Sequence, residues 1–189
     1  MTAWPARRWP ESECASRVAG GRLRLSHGPI DLVLDLGGPD AEVRAAESAA
    51  RDGFEGLLES LVEELTLLRA PITPATPVPR GPVAQSMYCA AFPFAPDFIT
   101  PMAAVAGAVA DHILGAILRE AGVTFAVVNN GGDIALHLEG VKTYRLGIHD
   151  GRVGGIFAGF VEIAAGDGIG AVATSGSPGP AQSLGFADA

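Results

Sequence analysis

Cysteine is scarce in this sequence: Cys14 and Cys89 are the only two among 189 residues. Two thiols make no disulfide scaffold, and neither belongs to a CxxC pair that could hold zinc or cycle between redox states. Basic charge is short as well, with 13 Lys and Arg against 21 Asp and Glu and a formal net charge of −8. A surface of that sign repels phosphate backbones and anionic headgroups, and no local basic patch reverses it, so neither nucleic acid nor membrane is an expected partner. An apolar leader is missing too: Arg7 and Arg8 are followed by Trp9-Pro10-Glu11-Ser12-Glu13 where a secretory signal requires a hydrophobic stretch. The expectation is a cytoplasmic chain with no lipid anchor at Cys14. The longest apolar run, Pro101 to Leu118, carries Asp111 and His112 and is rich in Ala and Gly, which suits a buried helix better than a membrane span. The four histidines, His27, His112, His137 and His149, lack the spacing of a zinc site.

What is present is the makeup of one globular domain rich in turns, 48% hydrophobic with 25 glycines and 14 prolines. Residues 1–21 have no period and read as an extended arm; residues 22–189 read as a single α+β domain. Arg22 to Ser26 and Ile30 to Leu36 alternate around Gly28-Pro29, predicting a hairpin. From Asp40, as N-cap, the pattern turns helical. Phe54, Leu57, Leu58, Leu61, Leu65 and Leu68 form the stripe of one long helix that Gly53 and Gly56 weaken. The proline-rich stretch from Pro71 to Pro82 reads as an exposed spacer, and Val83 to Ala91 as a short helix. A second main helix opens at Pro101 and ends with Gly122 at C′. Val123 to Val128 predicts a central strand, and Ile134–Leu138, Tyr144–Ile148, Gly155–Ile163 and Ala171–Thr174 predict an antiparallel meander after it.

Four places could carry chemistry. Asn129-Asn130-Gly131-Gly132-Asp133 joins two strands; alone it is a hairpin turn, but its glycines could also bring bare N–H groups to a phosphate while Asn129 and Asp133 supply fixed partners. Asp111 is a carboxylate in an apolar helix, either on the solvent face or at a site that provides a cation or donors. Thr174-Ser175-Gly176 is either a turn or a phosphate-binding strand end. Asp188 could serve a hard cation such as Mg²⁺, or be simply a terminal acid.

In order along the chain, these pieces resemble the ApbE superfamily, whose best-known members are FAD:protein FMN transferases. The resemblance rests on Pro101-Met102-Ala103-Ala104-Val105-Ala106-Gly107, Asn130-Gly131-Gly132-Asp133-Ile134, Ala173-Thr174-Ser175-Gly176 and Ser183-Leu184-Gly185-Phe186-Ala187-Asp188. It points in particular to a cytoplasmic ApbE-like branch of unassigned activity, and covers the second half of the chain closely and the first by pattern. The Gly-x-x-x-Asp of the transferases is similar to Gly107–Asp111, their Asn-x-Gly-Gly-Asp to Asn129–Asp133, and their Ala-Asp-Ala to Ala187-Asp188-Ala189.

The resemblance implies an ApbE-like, tunnelling-fold-like antiparallel sheet with two main helices packed on it. It implies a flavin, FAD or FMN, bound by Ala104, Gly107, Asn129, Asn130, Gly131, Gly132, Thr174, Ser175 and Gly176, with Asp111 and Asp133 catalytic and Mg²⁺ held partly by Asp188. The implied reaction moves FMN from FAD to a Thr of an acceptor protein and releases AMP, or cleaves the FAD pyrophosphate. Three departures stand against turnover. The Lys before the helix glycine is Ala106 here, Ser177-Pro178-Gly179-Pro180 replaces the His-containing segment, and the sequence ends at Ala189 before the Thr that completes the metal site of the transferases. The rival expectations are a non-catalytic module binding a flavin, pterin or nucleotide in the same cleft, and an assembly subunit whose small-residue helix and strand edges serve homo-oligomerisation.

Overall fold

A computed structural model describes residues 13–95, 97–149 and 157–174. The sheet begins with three strands, β1 (Cys14–Arg17), β2 (Leu23–His27) and β3 (Ile30–Gly37). The helices α1 (Asp40–Phe54), α2 (Leu57–Glu63), α3 (Leu65–Leu68), α4 (Pro82–Ala91) and α5 (Val105–Glu120) follow. The remaining strands are β4 (Phe125–Asn130), β5 (Asp133–Leu138), β6 (Thr143–His149), β7 (Phe157–Ala164) and β8 (Ala171–Val172). All sheet neighbours are antiparallel, in the order β1-β2-β3-β4-β5-β8, with β6 and β7 forming a separate ribbon. This is the expected α+β architecture.

Alternation in the strands sorts the residues onto two faces. Leu23, Leu25, Leu32, Leu34, Ala126, Val128 and Ala135 meet α1, α4 and α5 in the main core. On the opposite face Val127, Ile134 and Leu136 pack with Ile163, Tyr144 and Leu146 of the β6–β7 ribbon. The expected single meander is therefore incorrect. β4 and β5 are apolar on both faces and need cover on both, so the ribbon folds over the second face and leaves the edge of β5 to β8.

The arm read over residues 1–21 contributes an edge strand, since Cys14–Arg17 pairs in register with Leu23–Ser26. The predicted long helix is three helices. Gly56 stands at φ +67°, a left-handed position that ends α1, and the Glu55 N–H closes the turn on the Arg51 carbonyl. Asp40 is the first helical residue, with Pro39 at the cap. Gly53 is where the two main helices approach: a Cβ there would stand 3.0 Å from the Ala116 Cβ. The proline-rich segment is tied down rather than a free spacer. The Ile72 N–H donates to the Ile99 carbonyl, and the Tyr88 hydroxyl to the Thr76 carbonyl. The Glu64 carboxylate receives the N–H groups of Arg80 and Gly81, which holds it below the ordinary carboxylate range.

The stretch Pro101–Glu120 is long and apolar enough to cross a membrane by length and composition, yet it enters the core. Ala108, Val109, Ala110, Ile113, Leu114, Ala116 and Ile117 are buried against the sheet and α1. Pro101–Ala104 forms a tight turn leading into α5, and the chain leaves the helix at Ala121 in extended conformation. Gly122 is thus no left-handed cap; its N–H donates to Glu42 Oε2 at 2.6 Å.

Candidate functional site

The β4–β5 hairpin brings most of the candidate residues to one end of the sheet. Asn130 pairs with Asp133 across a two-residue loop, and Gly131 and Gly132 stand at φ +66° and +113°, conformations that exclude most side chains. Asn129 Oδ1 accepts the Gly132 N–H at 2.9 Å and fixes the loop. Asn130, buried on the helix side, donates from its amide to the Ala106 carbonyl at 3.1 Å. That bond anchors the first turn of α5, with Gly107 next to it, to the end of β4. Strand parity puts Asp133 on the same face as Asn130.

Thr174 reaches this hairpin from the far side of the chain. Its N–H donates to Asp133 Oδ1 at 3.1 Å. A Cβ on Gly132 would meet its Oγ1 at 2.5 Å, so only glycine lets the strand exit lie this close. The turn and phosphate-site readings of Asn129–Asp133 are thus compatible: it is a hairpin, and one whose geometry gathers the other segments. Among the described residues no neighbouring atom lies within 4 Å of a Cβ built on Gly107 or Gly131, so both present open backbone there. Ala104, one turn earlier, is half-buried and packs against the main core.

Asp111 follows Gly107 by one turn on α5 and is exposed, as the solvent-face reading had it. Surrounding atoms desolvate its carboxyl enough to raise its pKa, and no hydrogen bond to it is formed among the described residues. The neighbouring His112 turns toward α1, where burial and the Arg119 charge lower its pKa. Ser175, Gly176 and Asp188 lie outside the described residues. Clefts lined by Arg17, Asp35, Leu36, Gly38 and Glu47 lie at the other end of β3, beside the bidentate Arg17–Glu47 pair.

A model of the AbpE bacteria family matches residues 15–189. The chain belongs to that family. Over 93 residues it is 40% identical to a UPF0280 protein of Methanoregula boonei, a match covering 48% of this chain and 38% of the relative. A UPF0280 protein of Methanosphaerula palustris is 42% identical over 93 residues, with the same coverage. The chain thus spans about two-fifths of the length of the curated relatives it matches. For this AbpE-family chain the ordered motifs were a better guide than any one of them, because Gly132, Asp133 and Thr174 meet only after folding. One cluster escaped the sequence reading. Glu13, His27 and Glu59 converge from three distant segments, and no short spacing marks them.

Proposed function

We propose that this chain binds FAD between the first turn of α5 and the Gly131–Gly132 turn, and transfers its FMN half to a threonine of an acceptor protein in a Mg²⁺-dependent reaction. The observation that carries this reading is the convergence of Gly132 and Asp133 with Thr174, which is distant in sequence and belongs to a separate motif of the resemblance. The fit to a pyrophosphate rests on donors. Gly107 and Gly131 leave open backbone, and the N–H groups opening a helix carry partial positive charge toward an anion. Thr174, held by Asp133, brings a hydroxyl to the same place.

In the proposed reaction the acceptor Thr oxygen bonds to the phosphorus of the FMN half. The bridging P–O bond breaks, and AMP leaves with the bridging oxygen. The Thr proton passes to Asp111, an exposed carboxylate whose desolvation makes it a better base than an ordinary aspartate. Asp133, engaged by the Thr174 N–H, positions the loop instead. Bound Mg²⁺ supplies neutralisation of pyrophosphate charge, and Asp188 would hold it in part. With water in place of the threonine, the same geometry cleaves FAD to FMN and AMP.

The second reading is a flavin-binding module without turnover. It is favoured by Ala106, which stands where the transferases carry Lys and offers only its carbonyl, to Asn130. Release of AMP from FAD, followed by chromatography with and without Mg²⁺, separates the two. Metal-dependent AMP supports the transferase or pyrophosphatase reading; flavin binding with no AMP supports the module.

A further inference from the structure

His27 closes β2 on the helix face of the sheet, and 7% of its surface is exposed. Its Nδ1 is fully buried and has no hydrogen-bond partner among the described residues. A buried polar atom in that state destabilises the fold unless something satisfies it. The groups nearest the ring are two carboxylates from other segments. Glu13 Oε1 lies 3.7 Å from Nδ1, and Glu59 Oε1 lies 3.6 Å from Nε2. Both separations are too long for hydrogen bonds. An ion takes only one of the two nitrogens: the carboxylate facing that nitrogen then stands near the roughly 3.4 Å that separates donors about 2.1 Å from a tetrahedral metal, and the other carboxylate joins by turning its side chain around the ring edge.

We propose that Glu13, His27 and Glu59 form a binding site for a divalent first-row metal ion, with one imidazole nitrogen and two carboxylates as protein ligands and water completing the shell. One atom from each residue falls within 4.8 Å of the other two, close enough for a common ion. An imidazole with two carboxylates is a set taken by Zn²⁺, Mn²⁺ or Fe²⁺ rather than by an oxygen-only ion. Glu59 is exposed on α2 and gives the ion a route in from solvent, while His27 closes the inner side. The surroundings are prearranged. Glu13 Oε1 also accepts the N–H of Gly56 at 2.9 Å, so the residue leading into β1 is clipped to the left-handed break between α1 and α2. The bound ion would fasten that lead-in, β2 and α2 together. The cluster shares no residue with the proposed flavin cleft: His27 lies on the same face and at the same end of the sheet as Asn130, two strands or about 10 Å away.

The test uses the full chain, stripped with chelator and titrated with Zn²⁺ by calorimetry and with Co²⁺ by its visible absorption, in the absence of flavin. One equivalent should bind, with a nitrogen-containing coordination signature for Co²⁺, and should raise the melting temperature. Glu59→Gln, an exposed change that spares the fold, and Glu13→Gln, which keeps an acceptor for the Gly56 N–H, should each weaken binding roughly tenfold or more. His27→Gln should abolish it, with circular dichroism checking that the variant folds. Absence of saturable binding would overturn the assignment and leave His27 as an imidazole between two carboxylates. Binding of unchanged affinity and stoichiometry in both glutamate variants would overturn it equally.

Discussion

Gly132 and Thr174 are in mutual contact across the end of the sheet: a methyl group on the glycine would sit 2.5 Å from the threonine Oγ1. Two penalties therefore meet in Gly132→Ala, the clash and a φ of +113° that an L-residue resists. The variant should lose about 2 kcal/mol of stability in urea melts. In the double variant with Thr174→Ala the steric share should return and the backbone share remain, giving a coupling of about 1 kcal/mol in a double-mutant cycle. Strict additivity would mean that the two segments do not touch.

Gly107 supplies the opposite case. It lies in a helical turn with nothing among the described residues near its Cβ position, so Gly107→Ala should stabilise the fold by about 0.5 kcal/mol through helix propensity. The same methyl group would project into the space assigned to the pyrophosphate, and FAD affinity should fall. A variant that is more stable and binds FAD as the parent does would remove the ligand from this turn.

How much of this was legible beforehand depends on the range of the forces involved. The β2–β3 hairpin, α4 and the Asn130–Asp133 turn follow from local alternation, helical spacing and glycine conformation and stand where those signals put them, while α5 lies inside the predicted span but starts four residues later, at Val105, and ends without Gly122 as its cap. The break at Gly56 was readable only as a weakness, because periodicity continues across it through Leu57 and Leu61. The departure of β6–β7 from the sheet was not readable, since an apolar strand does not say which surface covers its second face. Nor were the meeting of Asp133 with Thr174 and that of His27 with Glu13 and Glu59, each a long-range consequence of strand order. A local pattern did mark Asp111, whose acid amid apolar neighbours gave both readings, and the exposed side of α5 is where it lies.

The Glu64 carboxylate closes the proline-rich segment onto α2, and its pKa is depressed chiefly by the Arg80 N–H and then by that of Gly81. Its contribution to stability is therefore complete above the ordinary carboxylate value of 4.5 and is lost as pH falls through the lower folded-state value. Denaturant melts across the acid range should show the parent converging on Glu64→Gln at low pH. At neutral pH the variant should be less stable by on the order of 1 kcal/mol, reduced by solvent at this site. Equal stability of the two proteins at neutral pH would contradict it.

Tyr144 pins the β6–β7 ribbon to the sheet through a 3.2 Å hydrogen bond from its hydroxyl to Asp35 Oδ2. Burial, followed by the Asp35 charge, pushes the phenol up to about 12 from 10.0. Since the folded value is raised, this stabilisation is intact below the unfolded value and disappears as pH rises toward about 12. Ultraviolet titration should resolve a tyrosine ionising near that pH, absent in Tyr144→Phe. The variant should lose about 1 kcal/mol at neutral pH. A phenol titrating at 10 would show the contact to be unformed.

The central claim, that the end of β4, the start of β5 and the first turn of α5 form a flavin cleft, is tested most directly by thermal melting with FAD, FMN and AMP, each with and without Mg²⁺. At roughly 100 times its Kd a ligand adds about 2.7 kcal/mol, which for a domain of this size raises Tm by roughly 5–10 °C. The account predicts an upward shift with FAD that grows when Mg²⁺ is present and shrinks in Gly107→Ala. No shift with FAD or FMN at saturating concentration, with or without the metal, would contradict it.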